Sequence, residues 1–352
     1  MKETYPEWMR ARIALMSSLL LMFGLIAAPS AHADVRVDRT IVKGLQAPWS
    51  MAFLPDGSAL VSERDSARIL RVQPNGSVST VGRVRGVEHG GEGGLLGLAV
   101  PSGPNPSFVF AYITTPTDNR VVRMAWDGRR LGAQTPIFTG IPQSGIHNGG
   151  RLLIGPNNTL FIATGDAADP ALSQQRRSLA GKILRITFDG KPAAGNPWPG
   201  SAVYSMGHRN VQGLALDARG RLWASEFGAS DVDELNLIRP GSNYGWPRFE
   251  GAGGDRRYAD PYVEWSPTST ASPSGIAVVG DNAYVASLRG RVLWQVPLVG
   301  DRTPKALALG DLGRLRDVVA APDGSLWLVT NNTDGRGSPK AGDDRILRLR
   351  VR

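Results

Sequence analysis

The chain of 352 residues contains no cysteine. It therefore has no disulfides and no cysteine for lipid attachment, so its stability must come from a buried core. Long amphipathic helical patterns are also scarce, and no long basic run is interleaved with aromatic residues. The first of these absences argues against a mainly helical fold. The second argues against a nucleic-acid partner.

The first 33 residues have the pattern of a targeting segment. Basic residues precede an apolar run at 13–28, and Ala31 and Ala33 offer a small-x-small cleavage site. Polar interruptions and the lack of a strong stop-transfer flank argue against a stable membrane span. The sequence predicts an exported protein, periplasmic or secreted, with a signal peptide at 1–33 and a single domain at 34–352.

The formal net charge is +9, from 40 basic and 31 acidic residues. These charges are dispersed along the chain. A basic exported protein of this kind is expected to attract an anionic ligand or cofactor, or a polyanionic envelope.

One sequence unit recurs along the chain, a turn followed by a strand of apolar alternation that ends near an acidic or small residue. Its copies begin near residues 54, 155, 217, 279 and 321, and a weaker copy covers 104–126. Glycine, proline and short β-branched or aromatic runs fill the sequence around them, which is typical of an all-β fold.

Six units of about 53 residues suit four-stranded blades. The sequence therefore predicts a six-bladed β-propeller with four-stranded antiparallel blades. Residues 35–42 form a spare strand that could complete the last blade and close the ring. A ring of seven or eight blades is the alternative, because weak repeats are easily miscounted.

His147 and Asp166 flank a predicted hairpin. Between them the sequence indicates a strand, a turn at 156–158 and a second strand. The hairpin folds its two ends to one edge of the sheet, so the two side chains can meet. A histidine oriented by a carboxylate is a common general base. The alternative is a buried pair that only closes the hairpin.

Donor side chains near other strand ends could form an anion-binding pocket over the central channel. They are Arg209, Asn210, Arg289, Arg314 and Arg316. Arg209 and Asn210 could present donors to a carboxylate or quinone oxygen. Arg314 and Arg316 are two residues apart, so in a strand they point to the same side. Salt bridges between blades, or arginines on outer strands, would explain the same residues.

Four acidic residues lie within nine positions of one another. They are Glu226, Asp231, Asp233 and Glu234. Hard oxygen ligands gathered in a loop suit Ca²⁺, although the spacing is not that of an EF-hand. A solvated acidic loop is the alternative interpretation.

Seven segments carry a resemblance to a known family, in the same order along the chain. They are 147–152 (His-Asn-Gly-Gly-Arg-Leu), Thr164–Asp166, Ser178–Arg185, Gly207–Gly213, Asp233–Ile238, Gly241–Pro247 and Gly313–Val318. Together they resemble the soluble quinoprotein sugar dehydrogenases, which include soluble glucose dehydrogenase and the aldose sugar dehydrogenases. The match runs from about residue 45 to the C-terminus and covers most of the chain.

The resemblance implies a six-bladed propeller that holds pyrroloquinoline quinone (PQQ) and calcium. It implies that His147 is the catalytic base and that Asp166 orients it. The implied cofactor contacts are Arg209, Asn210, Arg289, Arg314 and Arg316, with residue 92 as a further one. The implied calcium ligands are the main-chain oxygens of Gly228 and Ala229, with a second, structural calcium site at Glu234 and Tyr244.

Two residues depart from the family pattern. Glu92 stands where the family usually has a glutamine that donates to the cofactor. Its charge near an anionic ligand could cost a few kcal/mol unless Glu92 is protonated or paired with an arginine or calcium. Ala229 replaces a usual proline, which is expected to soften the calcium loop.

The function expected from the sequence is the oxidation of the C1 hydroxyl of aldose sugars to lactones. Hydride would pass to PQQ and electrons to an external acceptor, in a monomer or a homodimer. One alternative is a calcium-dependent, lactonase-like hydrolase in which Glu92 and Asp166 ligate the metal and His147 activates water. The other is a non-catalytic propeller that binds glycans or a protein.

Overall fold

The computed structural model describes residues 34–351, in which 24 strands form six four-stranded antiparallel sheets. The strands are β1 (Val35–Lys43), β2 (Pro48–Phe53), β3 (Ala59–Glu63), β4 (Arg68–Val72), β5 (Val78–Arg83), β6 (Leu95–Ala99), β7 (Phe108–Thr114), β8 (Asn119–Trp126), β9 (Leu131–Ile141), β10 (Leu152–Gly155), β11 (Thr159–Ala163), β12 (Lys182–Thr187), β13 (Val203–Met206), β14 (Val211–Leu216), β15 (Leu222–Glu226), β16 (Asp233–Ile238), β17 (Val263–Trp265), β18 (Pro273–Val279), β19 (Asn282–Ser287), β20 (Leu293–Pro297), β21 (Lys305–Leu307), β22 (Leu315–Ala320), β23 (Leu326–Thr330) and β24 (Arg345–Val351). The predicted six-bladed propeller is confirmed, and the seven- and eight-bladed alternatives are wrong. The predicted signal peptide lies outside the described residues.

Helical structure is minor in this part of the chain. Between residues 34 and 351 it consists of two short 3₁₀ helices, Pro170–Gln174 and Thr268–Thr270. No helix within the same range is long and apolar enough to cross a membrane.

The sixth blade combines both ends of the described chain. Its strand order is β1-β24-β23-β22, and the pairing of β1 with β24 runs from Val35 opposite Val351 to Lys43 opposite Arg345. The predicted ring closure by the segment at 35–42 is therefore confirmed.

Local turn chemistry explains why the recurring unit folds as a hairpin. In the first blade the Asp56 carboxylate accepts from the main-chain amide of Ser58 at 3.0 Å, and in the sixth Asp323 accepts from Ser325 at 3.0 Å. Such side-chain turns pre-form the reversal between two strands. In the third blade the turn at 156–158 contains Asn157 and Asn158, whose φ angles of +56° and +54° lie in the left-handed region that asparagine tolerates.

The core lies between neighbouring blades, in six apolar clusters, of which five join two sheets and one joins three. For example, Leu60 of the first blade packs in one cluster with Val109 of the second. Trp327 of the sixth blade packs with Val61 of the first and so seals the ring. Each large side chain buried in this way contributes about 1.5–3 kcal/mol. The loops are therefore carried on a rigid ring.

The candidate site residues predicted from the sequence lie at one face of the ring. Successive strands reverse direction, so alternate connections lie on the same side. The loop between β9 and β10 carries His147, and the loop between β11 and β12 carries Asp166. The loops that precede β6, β14, β16, β20, β22 and β24 reach the same face.

Candidate functional site

His147 and Asp166 form a close pair at the centre of this face. The ring Nδ1 of His147 lies 2.7 Å from Oδ1 of Asp166, whose side chain is fully buried. The first hairpin strand begins only at Leu152, so His147 stands on a longer loop than the sequence indicated. The predicted meeting of the two side chains is nevertheless present.

The pair leaves one ring nitrogen for chemistry. The Asp166 carboxylate fixes Nδ1 as the protonated nitrogen, so Nε2 of His147 can accept a proton. His147 lines a cavity of about 240 Å³, and its side chain keeps 13% of its exposure. The arrangement therefore suits a general base that faces a bound molecule.

The predicted cofactor contacts gather around this cavity. Those that line it are Glu92, Arg209, Arg289, Arg314 and Arg316. Asn210 lies behind the lining, where its side-chain oxygen accepts from the amide of Gly149 at 3.0 Å and from Gln212 at 3.1 Å. It therefore supports the wall of the cavity.

The cavity is rich in positive charge. Its lining contains six arginines and three carboxylates, namely Arg64, Arg209, Arg289, Arg314, Arg316 and Arg336 with Glu92, Asp233 and Asp334. Burial lowers the pKa of Arg316 to about 9, Asp334 opposes this shift, and Arg314 and the other nearby arginines add to it. Arg316 is therefore protonated at neutral pH, although several other arginines lie close to it.

Several buried donors in the cavity are unused. The Nε atoms of Arg209, Arg314 and Arg316 have no hydrogen-bond partner among residues 34–351. A buried donor without a partner is unfavourable, and a ligand with several acceptors would relieve it. The donor set therefore fits a polyanionic molecule such as a tricarboxylate.

Trp49 lines the cavity and packs against two arginines. Its ring lies 4.5 Å from the guanidinium carbon of Arg151 and 5.5 Å from that of Arg316. Arg151 is anchored in turn by Asp317, at 2.9 Å. Cations on an aromatic face are attracted to it, so Trp49 holds two arginines that would otherwise repel each other.

The charge of Glu92 is balanced by an arginine that the sequence did not indicate. Oε1 of Glu92 accepts from Nη1 of Arg336 at 2.8 Å. Burial alone would raise the pKa of Glu92, but the main-chain amide of His147 and the Arg336 guanidinium outweigh it and hold the pKa below its ordinary value. Of the three possibilities raised by the sequence, pairing with an arginine is the one observed.

The loop at Gly228 and Ala229 borders the same cavity and is held by two carboxylates. Oδ1 of Asp233 accepts from the main-chain amide of Gly228 at 2.9 Å. Oε1 of Glu250 accepts from four successive main-chain amides, those of residues 229–232, at 2.8–3.1 Å. A proline at position 229 would have no amide to donate. Glu250 therefore restrains the loop that the alanine was expected to soften.

The four acidic residues do not form a single loop site. Glu226 and Glu234 are cross-strand neighbours on β15 and β16, whereas the carboxylate of Asp233 lines the cavity and Asp231 is exposed. In residues 34–351 no group of three His, Asp or Glu side chains is arranged to hold a metal. The expectation that the four side chains gather in one loop is wrong, and calcium binding by this part of the chain stays a prediction.

Glu234 nevertheless has the environment that a cation would relieve. Burial, and then the charge of Glu226, raise the pKa of Glu234. Nδ1 of His208 lies 2.8 Å from Oε2 of Glu226, and Glu234 accepts from the Asn236 side chain at 2.9 Å. In the described chain neither carboxylate forms a salt bridge with a lysine or arginine side chain. The Tyr244 hydroxyl donates to the carbonyl of Leu237 at 2.7 Å, so only the main-chain oxygen of Tyr244 is available as a ligand.

Glu92 and Asp166, the metal ligands that the hydrolase alternative requires, are both occupied by hydrogen bonds within the protein. Both carboxylate oxygens of Asp166 already accept hydrogen bonds, from His147, the amide of Ala168 and the indole of Trp246. Both oxygens of Glu92 are engaged as well.

Comparison with known proteins places this geometry among sugar dehydrogenases. The family model for glucose/sorbosone dehydrogenases matches residues 45–347. The PQQ-bound aldose sugar dehydrogenase of Streptomyces coelicolor is 53% identical, with a TM-score of 0.88 over 92% of this chain and 100% of that chain. The quinoprotein glucose dehydrogenase B of Acinetobacter calcoaceticus is 31% identical over 77% of this chain and 66% of that protein. An uncharacterised protein of a Synechocystis strain is 34% identical over 84% of each chain.

Proposed function

Because this chain belongs to the glucose/sorbosone dehydrogenase family, we propose that it oxidises the C1 hydroxyl of aldose sugars to lactones with PQQ as the hydride acceptor. The observation that carries the proposal is the contact of His147 with Asp166 at 2.7 Å, at the edge of a cavity lined by arginines. A base and an anion-binding wall in one cavity are what this reaction needs.

The proton of the sugar is assigned to His147. Nε2 takes the proton of the C1 hydroxyl while the hydrogen on C1 leaves with its electron pair, and the C1–O bond becomes a carbonyl. Asp166 holds the Nδ1–H and stabilises the imidazolium that forms. When bound, PQQ supplies the two-electron acceptor for this hydride. In a ring-closed aldose the product is the lactone.

The arginines of the cavity are assigned to the cofactor. Arg314, Arg316 and Arg289 would hold the carboxylates of PQQ, and Arg209 would lie near the quinone oxygens. The main-chain oxygens of Gly228 and Ala229 would hold the active-site calcium, where a cation acts as a Lewis acid. Glu234 and Tyr244 would hold the structural calcium, Tyr244 through its main-chain oxygen.

The proposal includes the cellular setting that the sequence predicts. The protein would be exported, periplasmic or secreted, after removal of residues 1–33, and residues 34–352 would act as one domain. It would pass its electrons to an external acceptor as a monomer or a homodimer.

The decisive experiment removes the base. His147→Ala should bind PQQ with an affinity close to wild type but lose turnover of aldoses by at least about 100-fold, because proton transfer by a positioned side chain contributes roughly 10²- to 10⁴-fold. His89→Ala is the matched control, since His89 is exposed and does not line the cavity. Near-wild-type turnover in PQQ-loaded His147→Ala contradicts the mechanism.

A further inference from the structure

Glu92 contacts the loop of the base directly. Its Oε2 accepts from the main-chain amide of His147 at 2.7 Å, and its own amide donates to the carbonyl of Gly145 at 2.9 Å. The two loops approach so closely that a Cβ at Gly91 would lie 2.0 Å from that carbonyl. Glu92 therefore packs against the backbone of residues 145–147 and is hydrogen-bonded to it.

His147 requires support of this kind. Its φ angle is +59°, in the left-handed region that a residue with a side chain adopts only when its surroundings hold it there. Its carbonyl accepts from the amide of Ala167 at 3.2 Å, and its ring is held by Asp166. The bond to Glu92 is the one charge-assisted contact to its main chain in residues 34–351, and such bonds are the stronger ones.

Arg336 completes the arrangement from the sixth blade. It takes the second oxygen of Glu92, and its own side chain keeps 49% of its exposure at the edge of the cavity. A glutamine at position 92 could accept from the His147 amide through its oxygen. Its NH₂ group would then face the guanidinium of Arg336, donor against donor.

We propose that Glu92 is a positioning residue for His147 and that Arg336 neutralises it, so that the carboxylate does not oppose an anionic cofactor in the same cavity. The inference rests on the proposed role of His147 as the base. It assigns Glu92 to the protein's own backbone instead of to a direct contact with the cofactor.

Three variants separate the two parts of the proposal, with the Kd for PQQ measured by titration and kcat and KM measured with an aldose at saturating PQQ. Glu92→Gln should lower kcat about tenfold, because a charge-assisted bond to a strained main chain is weakened. Its Kd for PQQ should stay within about threefold of wild type or become tighter, and KM should change little. Loss of a residue with only a structural role would not lower kcat while leaving the Kd for PQQ unchanged.

The arginine variant tests the neutralisation. Arg336→Gln leaves an unpaired carboxylate beside the anion site, so PQQ should bind about tenfold more weakly. In the double variant Glu92→Gln/Arg336→Gln the affinity for PQQ should return to near wild type, with kcat as low as in Glu92→Gln. The melting temperature of each variant verifies that it folds.

Specific outcomes overturn the inference. Wild-type kcat in Glu92→Gln means that Glu92 does not position the base. A tenfold loss of PQQ affinity in that variant means that Glu92 contacts the cofactor directly, which overturns its assignment to the backbone. A double variant that binds PQQ as weakly as Arg336→Gln means that Arg336 contacts the cofactor itself. His147→Ala keeps the two proposals apart: if it loses turnover and Glu92→Gln does not, only the positioning role fails, and if it retains turnover the proposed function fails.

Discussion

The indole Nε1 of Trp246 donates to Oδ2 of Asp166 at 2.9 Å, the carboxylate oxygen that the ring of His147 does not use. Asp166 is thereby held from both sides, and its orientation toward His147 does not depend on the histidine alone. Trp246 comes from the long connection between β16 and β17, in a neighbouring blade. It also carries the guanidinium of Arg209 over its ring at 5.4 Å.

Loss of this indole donor should therefore weaken the base. Trp246→Phe keeps an aromatic ring but removes the hydrogen bond to a buried carboxylate, which is worth about 1.5–3 kcal/mol. We expect kcat for aldose oxidation to fall about tenfold or more with a smaller change in KM. Steady-state kinetics with the PQQ-loaded protein check this, and Trp198→Phe, outside the cavity lining, is the control. Equal kcat in the two variants would contradict the role of the indole.

Arg316 should determine how tightly an anionic cofactor binds. Arg316→Gln removes one cation and an unused buried donor from the cavity, so the Kd for PQQ should rise about 10- to 100-fold. The rise in melting temperature on adding PQQ should shrink accordingly. Arg219→Gln is the control, since Arg219 lies in the loop between β14 and β15 on the opposite face. An unchanged affinity would show that Arg316 serves only the packing around Trp49.

Glu250 should determine how well calcium stabilises the protein. Glu250→Gln removes the charge onto which four main-chain amides converge, so the carbonyl oxygens of Gly228 and Ala229 lose their fixed direction. We expect a loss of about 1 kcal/mol of stability in chelator and a smaller gain in melting temperature when calcium is added. Thermal unfolding in calcium and in chelator measures both. The exposed Glu88→Gln should behave as wild type, and equal calcium effects in the two variants would refute this role.

Lys182 should make the stability of the ring depend on pH. Its side chain is fully buried, and Nζ donates to the carbonyl oxygens of Leu172, Ser173 and Ala180 at 2.6–3.0 Å. Burial lowers the pKa of Lys182 to about 7. Between that value and the ordinary one near 10.5 the unfolded chain binds more protons than the folded one, so stability rises with pH over this window.

The comparison with Lys182→Met isolates this effect. Between pH 7 and pH 9 the free energy of unfolding of the wild type should rise relative to that of the variant by about 2 kcal/mol. Urea denaturation at pH 6, 7.5 and 9 measures the difference, with the exposed Lys191→Met as the control. A difference that is constant across this range would mean that the three carbonyl oxygens keep the ammonium charged throughout.

The parts of the fold that the sequence could predict are those that local chemistry determines. The Asp56 and Asp323 turns each precede an apolar strand, so the repeats could be counted and the spare N-terminal strand recognised. The meeting of His147 with Asp166 followed from the same reasoning, because a hairpin of known length brings its ends together.

Contacts between distant loops gave no comparable signal. Arg336 and Glu92 are separated by 244 residues, and no local pattern relates them. No sequence pattern relates Glu250 to Ala229 either, although Glu250 restrains the loop that contains Ala229. The acidic run misled for a physical reason: side chains alternate along a strand, so Asp233 and Glu234 leave β16 on opposite sides. Trp246 lies within a segment that carries the family resemblance, Gly241–Pro247, but the sequence does not indicate that its indole contacts Asp166.

The closure of the ring by β1 and β24 also determines when the cavity can exist. The sixth blade needs the first and the last described strands together, so as the chain is made in order this sheet is the last that can form. Trp49 and Arg64 then meet Arg314 and Arg316 only at that step. A molecule that contacts both the first and the sixth blade would stabilise the closed ring. Its binding energy would oppose the separation of the two chain ends.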